Sequence, residues 1–205
     1  VKIIIVAESG FLKDICLDQS VDSKYIYDWA DNGLITLAIP EYAFVESDGG
    51  LQQQYRKQRV RLQETANLAN ELARSQNLQS LAAQLKQLVA ELQSRIDAGA
   101  TLVKAVLDEI RSNCLMIPTN FEIFHRARLR TLSATPPPDE IDCQIFESVL
   151  SFIREHQQGD ALRLFLTHDR NHFDYPEIHQ EIEATGAIIV FSSSECLRVI
   201  REHLP

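Results

Sequence analysis

Short unbroken apolar runs alternate along this chain with longer stretches in which apolar residues recur every three or four positions. The first run, KIIIVA (2–7), is β-branched and lacks polar alternation, as a strand buried on both faces requires. GFLKDICLD and SKYIYDWADNG follow with helical spacing, the second stopped at Asn32-Gly33. LITLAIP predicts a second strand, and Pro40 opens a helix through EYAFVE at a first-turn position where its missing N–H costs nothing.

The pattern changes over residues 47–113, which are rich in Gln, Leu, Ala, Glu and Arg and contain no Pro. LANELARSQNLQSLAAQLKQLVAELQSRI predicts an antiparallel helical hairpin turning at Ser75-Gln76-Asn77, with its second arm ending at Asp97-Ala98-Gly99 and a further helix in TLVKAVLDEIRSN. The heptad-like spacing also allows pairing with a second copy, so a homodimer is an alternative to a self-contained hairpin.

From Cys114 onward strands and helices alternate again. CLMIPT, ALRLFLT and AIIVFS predict strands. NFEIFHRARLRTL, DEIDCQIFESVLSFIREHQ, YPEIHQEIEATG and SECLRVIREH predict helices, the third closed by Gly186 and the last begun by a Ser cap. In the second of these, Ile141, Ile145, Val149, Phe152 and Ile153 share one apolar face. Alternating strands and helices imply a mostly parallel sheet with helices on both faces, a three-layer α/β/α fold. The expected organisation is one domain, 1–205, carrying a helical insertion at 47–113.

Totals narrow the class. The chain has 205 residues, 45% hydrophobic and 24% charged, as in a soluble globular domain. No apolar run approaches the ~18 residues of a membrane span, and the opening segment lacks a signal-peptide pattern. Cys16, Cys114, Cys143 and Cys196 are widely spaced without a CxxC pair, which points to reduced thiols in a cytoplasmic protein. The net charge of −9 makes a general nucleic-acid binder improbable by charge alone, yet carboxylates gathered around a cation would have the same signature.

In open parallel sheets function gathers at the carboxyl ends of the strands. Glu8 follows the first predicted strand, Glu46 lies on the helix after the second, Asp139, Glu140 and Asp142 open the helix after PPP, and Asp169 and Asp174 follow FLT. One acid at a helix start is ordinarily a cap. Several at one rim repel one another unless a hard divalent cation neutralises them, and oxygen donors of this kind suit Mg²⁺ or Mn²⁺. The chemistry that follows is phosphodiester hydrolysis.

These segments, in order, resemble the PIN-domain nucleases: IIIVAESGFL, AIPEYAFVE, PPPDEIDCQIFESVL and LFLTHDRNHF. The resemblance covers 1–46 and 114–205 and is closest to the larger bacterial subgroup with a helical insertion. It implies a PIN-like fold and a metal-dependent endoribonuclease. Its acids fall on Glu8, Glu46, Asp142 and Asp169, with Asp139 competing for the third position. Ser9 and Thr167 match flanking hydroxyl positions, and Asn171 is placed to hold a water or a phosphate. It also implies RNA as substrate and, in toxin relatives, an antitoxin partner. The family's first acid is usually Asp; Glu8 adds a methylene, which moves the carboxylate by ~1.5 Å. A catalytically degenerate relative, acting as an interaction module through its hairpin, is the alternative.

HRARLR (Arg126, Arg128, Arg130) and YRKQRVRL (Arg56, Lys57, Arg59, Arg61) are candidate RNA-backbone contacts, with an exposed helix face as the plainer reading. His168, His172 and His179 form a weaker zinc candidate, since Pro176 argues against a helix that would align the first two. There is no Gly-rich phosphate loop and no GxSxG motif.

Overall fold

The structure is a computed structural model of the chain, and it describes residues 2–203. Five strands form one parallel sheet: β1 (Lys2–Ala7), β2 (Thr36–Pro40), β3 (Leu115–Ile117), β4 (Ala161–Leu166) and β5 (Ile188–Val190). Their order is β3-β2-β1-β4-β5. The central strand β1 pairs with β2 on one side, Ile5 beside Leu37, and with β4 on the other, Ile5 beside Leu164. Ile5, Val6 and Ala7 are wholly buried, which is why this run carries no polar alternation.

Nine α-helices are described: α1 (Ser9–Cys16), α2 (Val21–Asp31), α3 (Glu41–Leu72), α4 (Gln79–Asn113), α5 (Phe121–Leu132), α6 (Glu140–Glu155), α7 (Arg170–Phe173), α8 (Pro176–Glu183) and α9 (Ser193–His203). Helices α2 and α9 pack together, with α9 against β4 and β5; α5 packs on α6, which reaches β2. The result is the three-layer α/β/α architecture expected of the alternation, with the sheet parallel throughout.

Contact density divides the chain into two compact units, one running up to Ser47 and resuming at Val106, the other Asp48–Ala105. In the second unit the chain turns through Ser75 and a 3-10 segment, Gln76–Leu78. Ala69 and Ala82 are buried there, and Arg59 pairs with Asp97 at 2.8 Å. The expected break at Asp97-Ala98-Gly99 is absent: α4 is continuous to Asn113. Gly99 serves packing instead, since a Cβ there would lie 3.0 Å from the Tyr55 hydroxyl. Likewise α3 continues through Gly49-Gly50, where burial of Leu51 and Tyr55 outweighs the glycines' low helix propensity.

Two further expectations differ. Ile141 is 42% exposed although Ile145, Val149, Phe152 and Ile153 are buried, because it lies in the first turn of α6, ahead of the packed part of the helix. The loop after β4 contains the short helix α7 despite Pro176, because Asp169 caps it and Phe173 anchors it. Among the described residues no helix is long and apolar enough to cross a membrane. Cys143 and Cys196 are buried and Cys16 and Cys114 half-buried.

Candidate functional site

Strand order sets the location. From β1 the chain moves outward to β2 and β3, then returns to lie on the other side of β1 as β4. The crevice beyond the carboxyl ends of β1 and β4 is therefore the switch point at which open α/β sheets place their ligands. A cavity of about 440 Å³ lies in this unit, lined by Glu8, Glu46, Asp139, Asp142 and Asp169 together with Ser9, Gly10, Lys13, Ile141, His168 and His172.

Each acid has its own local cause. Glu8 leaves β1 and caps α1. Its Oε2 accepts from the Gly10 N–H at 2.7 Å and the Ser9 hydroxyl at 2.9 Å, and its Oε1 accepts from the His168 N–H at 2.9 Å. One carboxylate thus ties the end of β1 to the loop after β4, and it is 3% exposed. Gly10 is required by this arrangement: a Cβ would fall 2.5 Å from Glu8 Oε1 and 3.0 Å from His168 Cβ. Glu46 lies on α3 and receives the Lys13 ammonium at 2.8 Å. The neighbouring Ser47 hydroxyl donates to the Ser9 carbonyl at 3.1 Å, which fixes that turn of α3 against α1.

Asp139 caps α6 through the Ile141 N–H at 2.8 Å, and Asp142 follows in the first turn. Asp169 caps α7, its Oδ1 accepting from the Asn171 and His172 N–H groups at 3.0 and 3.2 Å. His172 Nδ1 sits between the last two acids, 2.6 Å from Asp142 Oδ2 and 3.2 Å from Asp169 Oδ2. Three buried rings hold these helices to the sheet: Phe165 of β4 is 5.4 Å from Phe173 of α7 and 6.3 Å from Phe146 of α6.

Burial above all, with the charges of Glu46, Asp139 and Asp169 and against the opposing effect of His172, pushes the Asp142 carboxyl up to about 6. A carboxyl held that high by burial and neighbouring charge is a frequent mark of a functional site. Carboxylate oxygens suit a hard cation in kind. Among the described residues, however, no three His, Cys, Asp or Glu side chains already form a ready metal cage. The Lys13 ammonium and the His172 ring occupy part of the space between the acids.

The other sequence candidates separate. Thr167 is buried, its Oγ1 accepting from the Asp169 N–H at 3.1 Å. Asn171 is exposed and does not line the cavity. Arg130 is 8% exposed, with Glu147 and Glu181 each at 2.7 Å, and it donates to the Pro136 carbonyl at 2.6 Å, so it faces the interior. Its partners outweigh the burial that would favour its neutral form and hold its pKa above the ordinary value. Arg126 pairs with Glu122 and Glu147, and Arg128 faces Glu140 at 3.5 Å. The three histidines take separate partners: His168 meets Asp14 and Ser193, His172 meets Asp142 and Asp169, and His179 meets Asp174.

Sequence reasoning overlooked Gly10 and Lys13. Gly10 follows the Glu8-Ser9 pair directly, and Lys13 lies one helical turn beyond Ser9, so helical spacing carried a signal for both.

No protein-family profile matches this chain, and no curated protein matches it. Among solved structures it is similar to the crystal structure of VapBC2 from Rickettsia felis bound to a DNA fragment from their promoter. The identity is 10%, covering 91% of this chain and 97% of that chain, with a TM-score of 0.47. A likeness of that degree assigns neither family nor activity. The chain's own features define an open α/β protein with an acidic cavity at the switch point of a parallel sheet.

Proposed function

We propose that the protein is a divalent-metal-dependent ribonuclease acting at this cavity, with Glu8, Glu46, Asp142 and Asp169 as the residues that would hold Mg²⁺ or Mn²⁺. The observation that carries the reading is the convergence of these four acids, from four separate chain segments, on one cavity where burial, helped by the charges of Glu46, Asp139 and Asp169, pushes Asp142 up to about 6. Mg²⁺ keeps several waters and often takes only one or two protein carboxylates, so a closed cage is not needed. A bound cation would polarise water and neutralise charge on the scissile phosphate. Glu8 would hold the floor of the site rigid through its three hydrogen bonds, Asp142 and Asp169 would offer their oxygens across His172, and Lys13 would add a fixed positive charge at the rim.

The same distances favour a second reading. Glu8 is occupied in capping, while Lys13 pairs with Glu46 and the His172 ring bridges Asp142 and Asp169 without a metal. On that reading the chain is a non-cleaving relative that acts by binding a protein, as an antitoxin partner or a second copy would require. Calorimetric titration with Mn²⁺, together with cleavage of a mixed RNA pool by the wild type and Asp169→Asn, separates the two. Metal binding with cleavage lost in the variant supports the nuclease. A wild type that neither binds Mn²⁺ nor cleaves leaves the interaction module.

A further inference from the structure

The outward face of α5 has no role in the acidic cavity. Phe121, His125, Arg128 and Leu132 recur at helical spacing along it, opposite the buried Ile123, Ala127 and Arg130. Phe121 is 83% exposed, and the His125 ring lies parallel to it, 6.1 Å between centroids and 10° between planes. Beside Phe121 is a hollow of about 510 Å³ walled by Tyr42, Phe124 and Phe121 itself. Thr119 also lines this hollow, and its buried hydroxyl oxygen has no hydrogen-bond partner among the described residues. A buried hydroxyl is rarely left unpaired without a ligand or water to satisfy it.

Two of the helices beside this face also supply residues to the acidic cavity. Tyr42 lies one turn before Glu46 on α3, and Arg128 faces Glu140, which sits between Asp139 and Ile141 at the start of α6. We propose that this face receives unpaired nucleobases of single-stranded RNA, one stacked on the Phe121 ring with its edge hydrogen-bonded to Thr119, while the strand continues into the acidic cavity. The proposal deepens the ribonuclease reading and rests on it. Aromatic rings offer a π surface that every base can use, and a duplex hides those base faces. Arg128, half-exposed and 3.5 Å from Glu140, is the cation on this stripe that a phosphate would meet, while Glu41 in the wall of the hollow keeps the phosphates outside it and leaves the hollow to a base.

The test is fluorescence anisotropy in EDTA, where cleavage is silent, with 5′-labelled 12-nucleotide oligouridylate and oligoadenylate, each alone and annealed to its complement. The intact protein is compared with Phe121→Ala, Phe121→Trp and Thr119→Val. Phe121→Ala should weaken single-strand binding by about tenfold or more, with Phe121→Trp restoring it. Thr119→Val should lower affinity several-fold, and the duplexes should bind more weakly than the single strands. Unchanged binding by Phe121→Ala, or no binding by the wild type, overturns the proposal. So does a wild-type dimer in sedimentation that Phe121→Ala dissociates while RNA binding is unaltered, since a second copy would then cover the stripe. Phe121-dependent binding by a wild type that never cleaves with Mn²⁺ would retain the surface and remove the nuclease reading alone.

Discussion

Replacing Asp142 by Asn should stabilise the protein at neutral pH. In the unfolded chain this carboxyl ionises near 3.8, and in the folded chain it keeps its proton to about 6. Between those values the folded form carries a proton that the unfolded form has shed, so folding weakens as pH rises through the interval and levels off above it. At about 1.4 kcal/mol per pH unit, the interval costs about 3 kcal/mol. Asn carries no charge and is spared this cost, which is already net of the opposing effect of His172. Asp142→Asn should therefore be about 3 kcal/mol more stable at pH 7.5, a rise of roughly 6–12 °C in melting temperature. At pH 4 the two proteins should agree to within about 1 kcal/mol. Urea denaturation followed by circular dichroism from pH 4 to 8 in EDTA measures the difference directly. A variant less stable than wild type at pH 7.5, or a difference that does not change with pH, refutes the burial and crowding that hold this carboxyl high.

Gly10→Ala should cost about 2–3 kcal/mol, because its Cβ displaces the Glu8 carboxylate from its three donors; a chemical melt within 0.5 kcal/mol of wild type would contradict it. Arg130→Ala should cost about 3–5 kcal/mol by leaving Glu147 buried without its main partner, and changing Glu147 to Gln in the same chain should recover part of that loss. Phe173→Ala should cost about 3–5 kcal/mol and raise hydrogen exchange in α7 before the rest of the chain, since it removes the ring that pins Asp169's helix to β4. Uniform exchange in that variant would show α7 is held by other means.

Periodicity along the chain was enough to find every strand and the alternation that makes the sheet parallel, because a doubly buried strand leaves an unbroken β-branched run such as KIIIVA. It was also enough to put acids at the strand ends. It could not read the length of α3 and α4, because glycine's helix penalty is local whereas the Tyr55–Gly99 approach joins residues far apart in the sequence. For the same reason HRARLR looked like one basic patch, while folding turned Arg130 inward to Glu147 and Glu181 and left Arg128 outside. That β4 returns beside β1, that Glu8 reaches the His168 N–H across that seam, and that His172 lies between Asp142 and Asp169 are contacts between segments distant along the chain. The sequence determined which groups stand at each strand end; their charges, caps and mutual distances exist only once the sheet order brings those ends together.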